Sequence, residues 1–450
     1  MRRRKIRVMA GLLLISGYAT LAQGNPPQKP PAQNPMPGMD MPAAQTPSLM
    51  PDMNGAAMFL MQRTSGTGAN PESAAMKMFS KRVSKWNLML HGQGFISDVQ
   101  QTGPRGADKF VSTNWFMGMA EHDLGRGAFT IRAMLSAEPA TVTGRMYPEL
   151  FQTGETAFGK AIADGQHPHD LFMELSVAYA RTLGEKTNVE IYFAPAGDPA
   201  IGPVAFPHRI SASELPQAPL GHHLQDSTHI ANEVATIALH RPRWGVEISG
   251  FHGAEPNENR WNIDAGALDS WSARLSWTPT ANWSAQVSAG RLHKPEALEP
   301  GDQLRSTASV TYNRPFTDGN WASSVIWGRD HKTDTKQNLN SYLVESVVRF
   351  RNKNYFTGRA ELVDRDELFV NQLAIEQQLA ATVGTVFRVG AFTGGYTRDV
   401  HLVPHVITGI GGNVTLYKVP DAIRPFYGEH PAAYYLFVRF RLEGKEGNAM

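Results

Sequence analysis

The chain has 450 residues, a net charge of +2 and no cysteine. The near balance of charge gives no electrostatic reason to expect nucleic acid as a partner, and the lack of cysteine excludes disulfides, thiolate metal sites and cysteine nucleophiles. The length allows two or three ordinary domains or one large all-β unit.

The first 22 residues have the parts of a secretory signal peptide. MRRRKIR is basic, VMAGLLLISGYATLA is apolar, and the segment ends in residues suited to cleavage after Ala22. We therefore predict a signal peptide over residues 1–22, with a retained N-terminal anchor as the alternative. No later stretch reaches about 18 apolar residues, the length of a spanning helix, so the mature chain is expected to leave the cytoplasm.

Residues 23–80 begin with a segment rich in proline, glutamine, glycine and methionine, as in NPMPGMDMPAAQTPSLMPDMNG. This composition buries too little apolar surface to offset the entropy of ordering, so residues 23–80 are predicted to form a disordered periplasmic arm. Within it, AAMFLM and SAAMKMF are expected to form short helical or plug-like pieces before the first strand.

The arm carries a methionine pattern. Met36, Met39 and Met41 have the spacing M-x-x-M-x-M, and Met50 with Met53 repeats M-x-x-M. Thioethers are soft ligands, suited to Cu(I) or Ag(I). The arm resembles the methionine-rich leaders of copper-resistance outer-membrane proteins, and this resemblance implies copper or another transition metal ion as a ligand. The arm lacks the histidines that such leaders usually contain, so a low-complexity linker remains the alternative.

From residue 81 onward, apolar and polar residues alternate in short runs separated by turn residues. In DSWSARLSW, Trp271, Ala273 and Leu275 share one face, while Ser272 and Arg274 share the other. This period-two alternation marks strands with one apolar and one polar face. Such strands fit a soluble sandwich with the apolar face inward, or a transmembrane barrel with that face toward lipid.

Three features favour the barrel. The strands are about 10–13 residues long, which suits a tilted membrane crossing. Tight connections such as DLGRG and TLGEK alternate with long ones near 138–167, 196–227, 254–267 and 397–404, as periplasmic turns alternate with outer loops. Aromatic residues near the tight turns would form an interfacial girdle. They are Trp244, Trp277, Trp283, Trp321, Tyr355 and Phe356.

The pattern gives seventeen candidate strands, including one at 371–380, whereas single-chain bacterial barrels have an even number. We predict an all-β, antiparallel transmembrane β-barrel of about 16 strands over residues 81–443, with 14 or 18 as alternatives, and a tail over 444–450. The pattern resembles porin-like bacterial outer-membrane barrels, which implies outer-membrane lipid and the barrel-assembly machinery as partners. The chain continues past Phe440, the aromatic residue that would end such a barrel.

The polar faces of these strands would point charges into the lumen, because a charge facing lipid costs a few kcal/mol. Mixed charges can line a conducting pore or form a salt-bridge ladder that fills it, and loops or the arm could plug the barrel. The predicted lumen-facing charges are Glu174, Glu247, Arg274, Arg305, Glu345, Arg349, Arg359, Glu361, Arg439 and Arg441.

Histidines are concentrated in the predicted outer loops. DGQHPHD holds His167 and His169 on either side of a proline that keeps the preceding residue extended, and GHH supplies His222 and His223. Imidazole with carboxylate suits zinc, copper or nickel. These four histidines are therefore candidate metal ligands at the outer mouth, with hydrogen bonding that holds the loops together as the alternative.

Together the features predict a porin-like channel or transport component for a small solute or metal ion, with copper handling as an added hypothesis. The alternative is a closed structural or ligand-binding barrel without conductance. An outer-membrane hydrolase is a weaker alternative. Its candidates would be Ser211, Ser213, His222 and Asp226, but no nucleophile elbow or triad spacing supports an enzyme, and we expect none.

Overall fold

The structure is a computed structural model that describes residues 54–74, 78–370, 372–379 and 385–442. The expected signal peptide, the five arm methionines and the expected C-terminal tail lie outside the described residues. The strands are β1 (Phe79–Val83), β2 (Trp86–Gln101), β3 (Lys109–Leu124), β4 (Gly127–Leu135), β5 (Tyr147–Ala157), β6 (Lys160–Gln166), β7 (Phe172–Leu183), β8 (Thr187–Gly197), β9 (Ala231–Arg241), β10 (Trp244–His252), β11 (Ser270–Trp277), β12 (Trp283–Leu292), β13 (Gln303–Phe316), β14 (Gly319–Lys332), β15 (Asn338–Phe350), β16 (Asn354–Arg365), β17 (Phe387–Val403), β18 (Val406–Lys418) and β19 (Ala432–Leu442).

Short helices lie in the connections and before the first strand. The α-helices are α1 (Gly55–Met61), α2 (Glu138–Thr141), α3 (His222–Gln225), α4 (Leu373–Gln378) and α5 (Arg424–Tyr427), and the 3₁₀ turns are Thr143–Arg145, Ile210–Ala212, Ser227–Ile230 and Asp421–Ile423. Within the described ranges, no helix has the length and apolar character of a membrane-spanning helix.

Sixteen strands, β2–β4 and β7–β19, form a closed antiparallel barrel, which confirms the predicted fold. The ring closes where β19 pairs with β2, with Arg439 opposite Phe95. Because β19 reaches only the second half of β2, β1 pairs with the first half, from Val83 opposite Trp86 to Phe79 opposite Leu90. Strands β5 and β6 form a separate hairpin. In the described part of the chain, each of the sixteen barrel strands pairs on both sides, as a barrel in lipid requires.

The odd seventeenth strand came from the segment 371–380, and that prediction was wrong. Leu373–Gln378 forms helix α4 in the connection between β16 and β17. The segment is rich in leucine, alanine, glutamate and glutamine, which are strong helix formers. Its apolar residues also fit a strand pattern, because the helical period of 3.6 residues and the strand period of two are hard to distinguish in so short a segment.

The two ends of the barrel differ in connection length, as predicted. One end, the short-turn end, carries tight turns such as those between β3 and β4 and between β17 and β18, and the other, the outer end, carries the long connections. The expected long connection near 397–404 is wrong, because β17 runs through it to Val403 and turns back at once. Polar Thr397 and Asp399 there are buried strand residues that face inward.

The outer face of the wall is an apolar belt. In β11, Trp271 and Leu275 are 53% and 49% exposed, whereas Ser272 and Arg274 are buried on the inner face. Five of the six predicted girdle aromatics face outward, but Tyr355 does not. Its side chain is buried, and its hydroxyl donates a hydrogen bond to Asp399 Oδ2 at 2.9 Å. An outward apolar face with a polar interior is typical of a barrel surrounded by lipid.

A charge placed in the middle of the belt should therefore destabilise the barrel. Val344 lies at the centre of β15, half-exposed, opposite Val325 and Ala360. We expect Val344→Arg to lower the free energy of unfolding from lipid vesicles by about 2–4 kcal/mol, measured by urea titration, because arginine is costly at mid-bilayer depth.

Leu402→Arg is the matched control. Leu402 is 71% exposed and lies near the short-turn end of β17, where the same substitution should cost about 0–1 kcal/mol. Equal effects of the two substitutions would contradict the position assigned to the belt.

Candidate functional site

The lumen is occupied by two segments of the chain. The first, residues 198–230 between β8 and β9, is called the luminal loop, and most of its residues are buried. The second, residues 54–74, is called the N-terminal plug. A loop of this length inside a barrel is tolerated only where its backbone and side chains find hydrogen-bond partners.

The luminal loop is bonded to several sectors of the wall. Arg209 Nε donates to Glu345 Oε1 on β15 at 2.6 Å, Gln217 Nε2 donates to Asn413 Oδ1 on β18 at 3.0 Å, and Gln225 Nε2 donates to Ser341 Oγ at 3.1 Å. The loop leaves the wall at β8 and returns to it at β9, whereas these contacts are on β15 and β18 across the ring, so the loop crosses the lumen.

The N-terminal plug lies at the short-turn end. Asn54 caps α1 by accepting a hydrogen bond from Ala57 N, and its side-chain amide donates to Gly127 O at 3.1 Å. Ser73 N donates to Ala281 O at 2.8 Å in another tight turn. The expected disordered arm therefore does not include residues 54–74, because α1 buries Leu60 and its neighbours against β7 and β8. The expected helix at AAMFLM is confirmed.

The ten predicted lumen-facing charges lie on the inner face, and most of them pair with each other or with the inserted segments. Glu345 forms ion pairs with both Arg209 and Arg359. Arg439 forms ion pairs with Glu214 of the luminal loop and with Asp399. Glu361 accepts a hydrogen bond from Gly221 N at 3.1 Å, and Arg349 is half-buried near the short-turn end. The other pairs are Arg132–Glu174 (3.6 Å), Arg274–Glu247 (2.5 Å), Arg305–Asp330 (2.8 Å) and Arg441–Glu214 (2.9 Å).

These ion pairs favour the salt-bridge alternative over an open pore wall. Arg132, Arg209 and Glu214 were missed by the sequence reading, and Arg209 and Glu214 lie in a connection that gives no strand pattern. Removing one partner of a buried ion pair leaves the other charge uncompensated and costs about 3–5 kcal/mol. The pairs therefore hold the luminal loop in place.

The four predicted histidines meet at the outer end, together with His229. Their rings follow one another at short distances, with centroids 5.4 Å apart for His167 and His223, 5.2 Å for His223 and His222, 5.2 Å for His222 and His229, and 5.3 Å for His229 and His169. His167 and His169 of HPHD are the first and the last ring of this row. The sequence predicted only that histidines of two loops lie at the same end of the barrel. The structure shows that their rings are in contact.

Several ring nitrogens are bound within the protein. Nδ1 of His222 is 2.6 Å from Asp226 Oδ1, Nδ1 of His169 is 3.0 Å from Glu138 Oε1, and Nδ1 of His229 donates to the carbonyl of Asp226 at 2.8 Å. These partners fix ring orientation, as carboxylates and carbonyls do behind metal-bound histidines. Among the described residues, however, only His223, with Glu255 and Glu296, belongs to a group of three His or acidic donor atoms within 4.8 Å of one another.

Burial lowers the pKa of His222, His223 and His229, so these imidazoles are neutral at pH 7. Burial alone would raise the pKa of Asp226, but His222 and Arg209 hold it below its usual range. Within the cluster, His222, His223 and His229 are therefore neutral rings beside the ionised carboxylate of Asp226.

The residues considered for a hydrolase do not assemble into a triad. Ser211 Oγ donates to Glu345 Oε1 at 2.9 Å and bonds Ser324, while the carbonyl of Ser213 accepts from Gln93. His222 and Asp226 form a hydrogen-bonded pair, but Ser211 is engaged in the charge network of the wall. A nucleophile needs its hydroxyl within reach of the base.

The structure also contains a methionine cluster on the inner wall, which sequence reasoning missed. Met89 lies directly opposite Met119, and Met117 directly opposite Met134, across β2, β3 and β4. Met173 completes the buried set, and Met61 of the N-terminal plug, Met78 and Trp115 pack against it. The signal was present in FMGM and AML, where methionine occupies the inner face of a strand.

Two histidines adjoin the methionine cluster. His91 is opposite Met117 on β2, and its Nε2 is buried without a hydrogen-bond partner. His208 of the luminal loop brings Nε2 to 3.0 Å from Met134 Sδ, and its ring centroid is 4.4 Å from that of Trp115. Burial keeps the pKa of His208 well below its ordinary value. Thioethers, neutral imidazoles and an indole thus share one pocket of the lumen.

No protein-family model matches the sequence, and no curated protein matches it. The fold is similar to the high-pH structure of OprB from Pseudomonas putida, with 10% identity over 80% of this chain and 94% of that chain and a TM-score of 0.51. It is also similar to the anion-selective porin from Comamonas acidovorans (12% identity, 79% and 100% covered, TM-score 0.48) and to Salmonella typhi OmpF in complex with daunomycin (9%, 81% and 100%, 0.48). The fold is that of outer-membrane porins.

The neutral state of the buried histidines makes stability depend on pH. The folded-state pKa of His229 is depressed, so below about pH 6.5 the unfolded chain takes up a proton that the folded chain does not. Stability is therefore complete above that pH and is lost as the pH falls. We expect His229→Asn to reduce the loss between pH 6 and 5 by about 1.4 kcal/mol in urea titrations, since that interval lies below the pKa of the unfolded chain.

His405→Asn serves as the control, because His405 is exposed in a tight turn. The same pH slope for wild type and His229→Asn would contradict a buried neutral His229.

Proposed function

We propose that the chain is an outer-membrane barrel with a porin fold that is closed to free diffusion and binds a soft metal ion of the Cu(I) or Ag(I) class in its lumen. The observation that carries this proposal is the methionine cluster on the inner wall, with His91 and His208 beside it. The apolar belt supports a location in outer-membrane lipid, reached through the barrel-assembly machinery.

The closed state follows from what fills the barrel. The luminal loop reaches β15 and β18 through bonds to Glu345 and Asn413, and the N-terminal plug bonds to the turns at Gly127 and Ala281. These contacts support a closed binding barrel, or a transporter in which one of the two segments moves, over a standing pore.

The choice of a soft metal follows from the donor atoms. Methionine fills irregular gaps in cores, so packing alone is the competing explanation. Elsewhere in this barrel, however, buried apolar clusters are built from leucine, phenylalanine, valine and alanine, as around Leu150 and Val363. Thioether sulfur and imidazole nitrogen are the ligands that suit Cu(I), and an indole face next to them can contact a cation.

The methionine cluster is also in contact with the N-terminal part of the chain. Met61 of the N-terminal plug and Met78 pack on it, and both follow the five arm methionines in the sequence. We therefore propose that Met36, Met39, Met41, Met50 and Met53 bind the same ion and pass it to the lumen; this part rests on their spacing in the sequence. His167, His169, His222 and His223 lie at the outer end, so an ion there would be met from outside.

The closed lumen predicts little conductance. In planar bilayers we expect wild-type protein to show no stable open channel, and Arg209→Ala to show frequent openings, because the loop loses its ion pair with Glu345 on β15 and its own internal pair with Asp226. Removal of one partner of a buried pair costs about 3–5 kcal/mol.

The control is Arg388→Ala, which removes an arginine with 56% side-chain exposure that pairs with Asp364 at 2.7 Å outside the luminal loop. Its traces should match wild type. A steady open channel in the wild-type protein would overturn the closed state.

The methionine cluster predicts a luminal Ag(I) site. We expect Met117→Leu with Met134→Leu to weaken Ag(I) binding by about tenfold or more in calorimetric titrations, because leucine keeps the volume but removes the sulfur. Met146→Leu is the control, since Met146 is 40% exposed in an outer connection.

Replacement of the five arm methionines by leucine is a separate variant. If it removes binding equivalents while the luminal variant binds like wild type, the ion belongs to the arm alone and the luminal site is refuted. Unchanged binding in the arm variant would exclude the arm.

A further inference from the structure

A second group of possible metal ligands lies at the outer end. Its donor atoms are nitrogen and oxygen, whereas those of the methionine cluster are mainly sulfur. His223 of α3, Glu255 of the β10–β11 connection and Glu296 of the β12–β13 connection each place one ligand atom within 4.8 Å of the other two. Three separate connections supply the three side chains. The three side chains therefore come together only when the outer connections are folded.

Four polar atoms of this group have no hydrogen-bond partner in the protein. Both ring nitrogens of His223 and both carboxylate oxygens of Glu255 are buried without a hydrogen-bond partner. The side chains are only 6% and 8% exposed, and His223 Nδ1 is 4.0 Å from Glu255 Oε1, which is too long for a hydrogen bond. Buried groups of this kind are costly when they are left unpaired.

We propose that His223, Glu255 and Glu296 form a binding site for a divalent transition-metal ion of the Zn²⁺ or Co²⁺ type. One imidazole and two carboxylates are ligands that such ions take in proteins. A divalent charge would neutralise the two acids and supply the partner that His223 lacks. The site does not depend on the proposed soft-metal function, because its donors are nitrogen and oxygen.

The surroundings hold the ligands in place. Glu255 N donates to Pro295 O at 2.9 Å, which ties together the two connections that carry the acids, and Glu155 N donates to Glu296 Oε2 at 3.3 Å. Gly154 has φ +123°, and a Cβ there would lie 2.5 Å from His223 Nδ1. Only glycine lets the β5–β6 hairpin approach the ring this closely.

The neighbouring cations are engaged elsewhere. Arg305 donates to the carbonyl of His223 but is paired through its side chain with Asp330 at 2.8 Å. Lys332 is 2.5 Å from Glu299 and 2.7 Å from Asp366. Glu255 and Glu296 are each partly exposed as residues, and both lie in outer connections.

A proton held by the two acids is the competing occupant. Burial raises the pKa of Glu255 and of Glu296, so at neutral pH a proton could replace the metal as the neutralising charge. The two occupants are distinguished by whether a metal ion binds at all and by whether its affinity depends on these two side chains.

The test is a Co²⁺ titration of the purified full-length chain, followed by visible absorption and by metal content after gel filtration. We expect an ion that is bound through these residues and removed by EDTA. Glu255→Gln with Glu296→Gln should weaken its binding by more than about tenfold, since even loss of groups behind the ligands costs 10–100-fold. Glu258→Gln is the matched control, because Glu258 lies in the same connection as Glu255 and pairs with Arg145.

Co²⁺ is chosen because it favours nitrogen and oxygen over thioether sulfur, which separates this site from the methionines. Heat-modifiable gel mobility of each variant confirms that the barrel has formed. Absence of bound Co²⁺ in the wild type, or equal affinity in the double variant and Glu258→Gln, would overturn the proposal. So would a loss of binding caused by His229→Asn and not by the double variant.

Discussion

The structure depends on one electrostatic constraint, which is that buried charges on the inner wall of the barrel must be neutralised. Arg359 and Glu345 face inward from neighbouring strands, and Arg209 of the luminal loop completes their network. Arg439 is matched in the same way by Glu214 of that loop. A buried unpaired charge would cost several kcal/mol, so the wall and the luminal loop require each other.

This constraint also determines where binding chemistry can occur. Ion pairs and hydrogen bonds occupy much of the lumen, and two regions stand apart from them. In one, around Met117 and Met134, the donor atoms are thioethers and neutral imidazoles. In the other, around His223 and Glu255, polar atoms are buried without partners. The two regions differ in the softness of their donors, so they would select different ions.

The histidine motif of the outer loop has two roles in this arrangement. His169 bonds Glu138, and His167 lies 3.0 Å from Glu155 and next to the ring of His223. HPHD therefore supports the loops at the mouth, as the structural alternative expected, and also adjoins a group of unsatisfied ligands. The luminal loop links both regions, because it carries His208 toward the methionines and His223 toward the acids.

The sequence by itself determined the barrel, the inner and outer faces of its strands and the charges that point inward, because period-two alternation assigns each side chain to a face. It missed the helix at Leu373–Gln378, where a short apolar run fits either period, and it placed Tyr355 on the wrong face. Only the tertiary structure decided that the luminal loop and the N-terminal plug enter the lumen and that His223 meets Glu255 and Glu296, since these contacts join distant connections that carry no periodic pattern. Alternation is a local property of a strand, whereas the partner of a buried charge is chosen by the closure of the whole barrel.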